Sequence, residues 1–202
     1  MKKVLVSSVS IFIIVKTLEF LLQDGIGLVS IDNIKNYYDL NPENFELQNL
    51  LTHHKFKSQK INVEDKSPLK KFFSEHRFNG ILNFADKAGV CYYKENPNIY
   101  VSTNAQGGLN LLEFIHAKGV KKFVLASTSS LFAGLPMPFK KELPVNTPIA
   151  SYTAIKKAPR AMDYSYNYLY NIEVSFIRHF PLYCREGRPD ASAFIFGQNS
   201  KG

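Results

Sequence analysis

A tyrosine and a lysine four residues apart, Tyr152 and Lys156, form the residue pair with the clearest chemical potential in this chain. A tyrosine hydroxyl ordinarily has a pKa of about 10, which is too high for a base at neutral pH. Residues at i and i+4 lie on one face of a helix, so the ammonium group of Lys156 would lower that pKa. An ordinary aromatic residue on a tyrosine-rich helix has the same spacing, and this alternative stays open from spacing alone.

A second candidate is Asp32, which closes an apolar, strand-like run 24 residues after Ser8. Dinucleotide-binding folds carry at this position the acid that bonds the ribose hydroxyls of the cofactor. A surface turn residue is the alternative for Asp32.

The elements that must position these residues alternate between strands and helices. The predicted strands are residues 4–6, 27–32, 57–63, 80–84, 120–127 and 173–177. The predicted helices are residues 12–23, 68–76, 97–118 and 151–170, with Ser67 as an N-cap and Gly25 and Gly119 as C-terminal stops. This alternation and the apolar strands predict an α/β fold with a doubly wound parallel sheet of the Rossmann type.

Ligands of such sheets bind at the carboxyl ends of the strands. The polar residues of interest fall at those predicted ends, namely Ser7, Ser8, Asp32, Asn83, residues 127–130 and Arg178.

Composition excludes several other classes of protein. The net charge is +8, but the lysines come in short pairs without interleaved aromatics, so we expect a solvated surface and no nucleic-acid partner. The apolar run after Met1-Lys2-Lys3 resembles part of a signal peptide. However, no cleavage site follows, and about 12 residues cannot span a membrane, so we expect no membrane partner. The two cysteines, Cys91 and Cys184, lack a metal-ligand spacing, which predicts no metal site and a cytoplasmic location.

Several segments resemble the extended short-chain dehydrogenase/reductase family of NAD-dependent epimerases and dehydratases, and most closely its UDP-glucuronate 4-epimerases. Tyr152 to Lys156 matches Tyr-x-x-x-Lys, the run Ser127-Thr128-Ser129-Ser130 precedes it, and Gly187-Arg188-Pro189-Asp190 follows it. Other matching segments are Ile31-Asp32-Asn33, Glu75-His76-Arg77-Phe78, Ala88-Gly89-Val90, Asn104 and residues 108–113. The matches stay in register from about residue 3 to residue 196, which makes them strong together.

The resemblance implies a catalytic set of Thr128, Tyr152 and Lys156. In this family the tyrosine takes a proton from a sugar hydroxyl while NAD accepts the hydride, and a Ser or Thr hydroxyl bonds the same sugar oxygen. Thr128 aligns with that hydroxyl, with Ser127 and Ser129 as nearby alternatives. The implied NAD-binding residues are Ser8, Ile11, Ile14, Asp32, Asn33, Asn62, Ala85, Lys87, Asn104, Tyr152 and Lys156.

The turn after the first strand departs from the family pattern. The family has Gly-x-x-Gly-x-x-Gly there, for a tight turn, close approach of backbone to pyrophosphate, and close helix–strand packing. Ser8, Ile11 and Ile14 stand at those positions. We expect Ile11 to intrude on the pyrophosphate and Ile14 to push the helix off the sheet, so the sequence predicts impaired NAD binding.

Other departures are Asn62 for an Asp near the adenine, Asp86 and Lys87 in the loop along the cofactor, Cys91 for an Arg, and Pro181 for a Thr that contacts the uronate. A further departure is Pro159, inside the predicted helix that carries Tyr152 and Lys156. An interior proline costs about 3 kcal/mol and predicts a kink where Lys156 must be held.

Two functions follow as hypotheses. The first is a UDP-glucuronate 4-epimerase type of protein that uses NAD and a UDP-sugar, with Thr128 and Arg188 binding the substrate. The second is a non-catalytic binding or assembly subunit that forms a homodimer, or a heterodimer with an intact relative, through residues 97–118 and 151–170. Residues 1–178 are predicted to form the nucleotide-binding domain and residues 179–202 the start of a substrate domain whose remainder is absent.

Overall fold

The computed structural model describes residues 2–8, 12–33, 50–87 and 96–180. Its strands are β1 (Lys3–Ser7), β2 (Gly27–Asp32), β3 (Phe56–Lys60), β4 (Gly80–Asn83), β5 (Lys122–Thr128) and β6 (Glu173–His179). The helices discussed below are α1 (Phe12–Gln23), α2 (Lys66–Glu75), α3 (Pro97–Tyr100), α4 (Gly107–Ala117) and α5 (Ser151–Tyr170). A π-helical segment, Val101–Gln106, joins α3 to α4.

The six strands form one sheet in the order β3-β2-β1-β4-β5-β6, and every neighbouring pair is parallel. This is the strand order of a Rossmann fold, in which the direction of winding reverses between β1 and β4. The predicted α/β class and doubly wound parallel sheet are therefore confirmed.

Alternate residues of β1 point to opposite faces of the sheet, and each face has its own core. Leu5 packs with Phe72 and Phe73 of α2 and with residues of α4, whereas Val6 packs with residues of α1. Burying one such side chain contributes about 1.5–3 kcal/mol, so the paired cores provide the rigid platform on which the loops after the strands are built.

Helix α2 starts earlier than predicted, and the expected N-cap at Ser67 is wrong. Asp65 has the extended cap conformation, with φ −96° and ψ 102°, and the helix begins at Lys66. Pro68 therefore lies within the first turn, where backbone N–H groups have no partner inside the helix and a proline is tolerated.

Strand β3 ends at Lys60 rather than at residue 63 as predicted. The reason is local, because the Asn62 side-chain oxygen accepts a hydrogen bond from the backbone N–H of Glu64 at 3.3 Å and turns the chain.

The predicted helix over residues 97–118 is present but contains the π-helical segment, and it ends at Ala117. Helix α5 is continuous from Ser151 to Tyr170 with Pro159 buried inside it, so the proline does not break the helix that carries Tyr152 and Lys156.

Candidate active site

The ends of β1 and β4 are tied together where the winding of the sheet reverses. The Ser7 hydroxyl donates a hydrogen bond to Asn83 Oδ1 at 2.6 Å and accepts one from the backbone N–H of both Phe84 and Ala85 at 3.1 Å. Ligands of open α/β sheets bind outside the strand ends at this reversal. The loop after β4 is thus fixed beside the place where a dinucleotide would lie.

The residue that follows β1 has a backbone conformation that suits glycine although it is a serine. Ser8 has φ 72°, in the left-handed region that L-residues seldom adopt. Its backbone N–H donates to Ile31 O at 2.8 Å, and its hydroxyl donates to Asp32 Oδ2 at 3.3 Å. The structure therefore brings Ser8 and the predicted ribose-binding acid, Asp32, together at the ends of neighbouring strands.

The expectation that Ile14 pushes α1 off the sheet is wrong. Ile14 is fully buried in the core on the α1 face of the sheet, in the cluster that includes Val6, Leu28 and Phe84. Its side chain fills the space between helix and sheet and leaves no surface for a cofactor to contact. Ile14 is therefore a core residue and not, as the sequence had predicted, one of the cofactor-contacting residues.

Tyr152 and Lys156 meet at one carboxylate, that of Asp86 in the loop after β4. Lys156 Nζ lies 2.9 Å from Asp86 Oδ2 and donates a hydrogen bond to Ala126 O at 2.9 Å. The Tyr152 hydroxyl lies 3.5 Å from the same Asp86 Oδ2. The Lys156 and Asp86 side chains are 6% and 13% exposed, so this is a nearly buried ion pair between α5 and the β4 loop.

Two further residues surround this cluster. The ring of Tyr100, which is fully buried, meets the Tyr152 ring edge-on at 6.1 Å between centroids and fixes its orientation. His179, at the end of β6, lies close enough to Lys156 for the ammonium charge to affect the pKa of its imidazole. Burial lowers the pKa of His179, the charge of Lys156 lowers it further, and a hydrogen bond with the backbone of Ser127 opposes both.

The end of β5 supplies hydroxyl groups next to the pair. Thr128 Oγ1 accepts a hydrogen bond from Ser130 N and donates one to Ser130 Oγ, each at 3.1 Å, and so caps the 3₁₀ turn Ser129–Phe132. The buried Ser127 hydroxyl has no hydrogen-bond partner among the described residues. Both hydroxyls belong to the strand that carries Ala126 O, the acceptor for Lys156.

The other predicted cofactor residues are spread along the same edge of the sheet. Asn33 and Ala85 are half-buried just after β2 and β4, and Asn62 makes the turn that ends β3. Asn104, in the π-helical segment, bonds the backbone of Lys87 through both atoms of its amide. Ile11 and Arg188, with Cys91, Cys184 and Pro181, lie outside the described residues.

Two members of this cluster were not in the predicted site. Asp86 stood out only as a departure from the family pattern, and nothing in the spacing of the sequence pairs it with Lys156. His179 is the register partner of Thr128 across β5 and β6, a relation that the sequence could have indicated had β6 been extended by two residues.

Within the described part of the chain, no three His, Cys, Asp or Glu side chains lie close enough together to hold a metal ion. No helix among the described residues is long and apolar enough to cross a lipid bilayer.

The strand order and the acid at the end of β2 define a fold of the dinucleotide-binding type, and Lys156 of α5 contacts the end of β5 through Ala126 O. The model of the NAD dependent epimerase/dehydratase family matches residues 16–198, and the chain belongs to that family. The match begins after positions 8, 11 and 14, where the sequence departs from the family glycines.

The chain is similar to several UDP-glucuronate 4-epimerases. The chain is 40% identical over 192 residues to a UDP-glucuronate 4-epimerase of Thermodesulfobacterium geofontis. This alignment covers 95% of the chain and 59% of the relative. It is 33% identical over 177 residues to UDP-glucuronate 4-epimerase 1 of Arabidopsis thaliana, covering 87% of the chain and 41% of that protein. The chain thus spans about half the length of these relatives.

Solved structures agree with the fold. The UDP-glucose 4-epimerase of Thermus thermophilus, solved with NAD, matches 97% of the chain and 60% of its own length with a TM-score of 0.83 and 25% identity. The UDP-glucuronic acid 4-epimerase of Bacillus cereus, solved with UDP-glucuronic acid and NAD, matches 98% of the chain and 63% of its own length with a TM-score of 0.85 and 22% identity.

Proposed function

We propose that this chain is the nucleotide-binding part of an NAD-dependent nucleotide-sugar epimerase of the UDP-glucuronate 4-epimerase type. The observation that carries the proposal is the convergence of Tyr152 and Lys156 at the carboxyl end of β5, in a chain 40% identical to such an enzyme. The spacing alone left open an ordinary aromatic on a helix. The nearly buried ammonium of Lys156 beside the hydroxyl favours the catalytic role.

The proposed roles follow from the positions of the groups. Tyr152 takes the proton from a sugar hydroxyl, and the positive charge of Lys156 favours the phenolate form that can do so. Thr128 holds the same sugar oxygen, with Ser127 as the alternative. When bound, NAD accepts the hydride, and the protein residues orient the partners.

The residues present fit the adenosine half of NAD better than the pyrophosphate. Asp32 lies at the end of β2 next to Ser8, where a carboxylate can accept hydrogen bonds from ribose hydroxyls. Ser8 holds the left-handed turn, but its backbone N–H is used by Ile31 O and is not free for phosphate. We therefore propose weakened cofactor binding, with Ile11 as the further obstacle.

We propose that residues 1–178 form the NAD-binding domain and residues 179–202 begin the sugar-binding part, in which Arg188 contacts the substrate. The last described strand, β6, runs to His179, one residue beyond this boundary, which supports a division near this point. A cytoplasmic location remains part of this proposal.

A calorimetric titration with NAD tests the proposal. We expect saturable binding that Asp32→Ala weakens at least tenfold, because the ribose hydroxyls lose their acceptor, whereas Asp24→Ala on the exposed end of α1 leaves it unchanged. Ser8→Gly combined with Ile11→Gly should strengthen binding. Ile14 is kept in every variant, because truncating a buried isoleucine costs about 2–5 kcal/mol. Absence of NAD binding by all of these proteins would refute the proposal.

A non-catalytic assembly role is the second candidate, and the surface of α5 favours it. Tyr164, Tyr168 and Leu169 are 69%, 80% and 64% exposed on the last two turns of this helix. Large apolar side chains grouped on a surface often mark a protein interface. In this role the chain forms a homodimer, or pairs with an intact relative, whether or not it binds NAD.

Light scattering over a range of concentrations tests the assembly role. We expect a dimer that Tyr168→Lys with Leu169→Lys dissociates, whereas Lys157→Ala on the same helix does not. A dimer that gives no heat of binding in the NAD titration would favour the assembly subunit over the enzyme. A monomer at all concentrations would exclude the homodimer.

A further inference from the structure

The carboxylate of Asp86 fills the place in front of the Tyr–Lys pair. Its Oδ2 lies 2.9 Å from Lys156 Nζ and 3.5 Å from the Tyr152 hydroxyl, so a single oxygen faces both groups. A substrate or cofactor hydroxyl that bonds Tyr152 must approach the phenol oxygen to within about 2.7 Å, closer than Asp86 Oδ2 lies to it. The carboxylate and that hydroxyl therefore compete for one position.

The charge of Asp86 also opposes the chemistry that Lys156 supports. A carboxylate accepts the Tyr152 proton in a hydrogen bond and so favours the neutral phenol. Its negative charge offsets the ammonium group that would otherwise stabilise the phenolate. Burial strengthens both effects, because the charges of Asp86 and Lys156 are largely excluded from water and therefore interact more strongly.

The loop that carries Asp86 is fixed on either side of it. Before Asp86, the Ser7 hydroxyl holds the backbone N–H groups of Phe84 and Ala85. After Asp86, the Asn104 amide holds the N–H and C=O of Lys87. With the backbone held on both sides, displacement of the Asp86 carboxylate requires rotation of its side chain rather than movement of the loop.

We propose that Asp86 is an internal, displaceable ligand of the Tyr152–Lys156 pair, which holds the site in a resting state until a hydroxyl-bearing ligand takes its place. The proposal rests on the proposed function and adds a device that regulates the same site. In this resting state, the affinity for NAD and the acidity of the Tyr152 hydroxyl depend on Asp86, a residue that takes no part in the reaction itself. Among the described residues, the titratable groups shown to interact with the pair are Asp86 from the β4 loop and His179 from β6.

The first test needs no cofactor. NMR of the apo protein labelled with ¹³C at the tyrosine Cζ, assigned with Tyr152→Phe, follows the ionisation of Tyr152. We expect Asp86→Ala to raise its acid dissociation constant at least tenfold, because Lys156 then faces the phenol without a compensating charge. Asp86→Asn keeps an oxygen acceptor for Lys156, preserves folding, and should act in the same direction. Asp24→Ala is the matched control.

Calorimetry with NAD is the second test. We expect Asp86→Ala and Asp86→Asn to bind NAD at least tenfold more tightly than the unmodified chain. Unchanged Tyr152 ionisation in both variants overturns the resting-state proposal, even if NAD binds. If Tyr152 becomes more acidic in the variants but no variant binds NAD, the role of Asp86 as a ligand of the Tyr152–Lys156 pair is supported. The proposed binding of NAD is refuted in that case.

Discussion

Asn104 holds the backbone of Lys87 through both atoms of its side-chain amide. Its Oδ1 accepts a hydrogen bond from Lys87 N at 2.7 Å, and its Nδ2 donates one to Lys87 O at 3.1 Å. Asn104 is 4% exposed and belongs to the π-helical segment, a type of local distortion that often occurs at functional sites. The irregular helix thus positions the loop that carries Asp86.

Replacing this amide should loosen the loop. We expect Asn104→Ala to lower the free energy of unfolding by about 1–2 kcal/mol, because two partly buried backbone groups of Lys87 lose their partner. Urea denaturation measures the change. Asn98→Ala, on the exposed face of α3, is the control and should stay within about 0.5 kcal/mol of the unmodified chain. Equal stability of the two variants would contradict a structural role for the Asn104 amide.

Two adjacent glycines at the start of α4 should respond in opposite ways to the same substitution. A Cβ on Gly107 would lie 2.7 Å from Val63 Cγ2, whereas a Cβ on Gly108 meets nothing closer than 3.9 Å. Gly108→Ala should stabilise the helix by up to about 1 kcal/mol through its propensity. Gly107→Ala should destabilise the protein by about 1–3 kcal/mol through overpacking against Val63. Thermal unfolding of the two variants side by side tests this, and a common sign would refute it.

The serine in the turn after β1 stores backbone strain. Ser8 has φ 72°, and the left-handed conformation costs an L-residue about 1–2 kcal/mol. Ser8→Gly should therefore raise the free energy of unfolding by about 0.5–1 kcal/mol, since the lost hydrogen bond to Asp32 is long at 3.3 Å. Ser8→Ala keeps the strain and loses the bond, so it should be less stable than the unmodified chain. Urea titrations that rank Ser8→Ala above Ser8→Gly would contradict this.

The fold was predictable because it depends on the spacing of apolar residues within each short segment of the sequence. The bounds of α1, β2 and α5 agree with prediction residue for residue. The winding of the sheet follows from the alternation of strands and helices. The end of β3 was not predictable, because it depends on the side chain of Asn62 bonding the backbone two residues on.

The site was predictable only in part, because its members come from distant segments. The i, i+4 relation of Tyr152 and Lys156 is local and could be read from the chain. The approach of Asp86 to Lys156 joins residues 70 positions apart and depends on the packing of α5 against the β4 loop. The expectation for Ile14 was wrong because a glycine at this family position implies close packing of helix and sheet. The core between α1 and the sheet accommodates the larger isoleucine side chain.

A carboxyl group on α5 lies buried seven residues beyond Lys156. Asp163 is 1% exposed, and its Oδ2 has no hydrogen-bond partner among the described residues. Burial raises the pKa of Asp163 to about 8, and the charge of Arg160 opposes that rise only in part. Burial and the nearby Arg178 in turn lower the pKa of Arg160. The neutral form of Asp163 therefore predominates in the folded chain at neutral pH.

This raised pKa should make stability fall as the pH rises. The unfolded chain loses the Asp163 proton near its ordinary pKa of 3.8, whereas the folded chain keeps it to about pH 8. Between these values the folded state binds more protons, so this group's contribution is complete below about pH 4 and is lost as the pH passes about 8. The slope is at most about 1.4 kcal/mol per pH unit.

Asp163→Asn removes the ionisable group while keeping the size and polarity of the neutral acid. We expect the variant to gain free energy of unfolding relative to the unmodified chain as the pH increases from about 5 to about 8, because only the unmodified chain must take up a proton on folding in that range. Urea denaturation at several pH values measures the two curves. Asp24→Asn, at an exposed position after α1, should give a curve parallel to that of the unmodified chain. Parallel curves for Asp163→Asn as well would mean that Asp163 is ionised in the folded chain, with its charge compensated by Arg160.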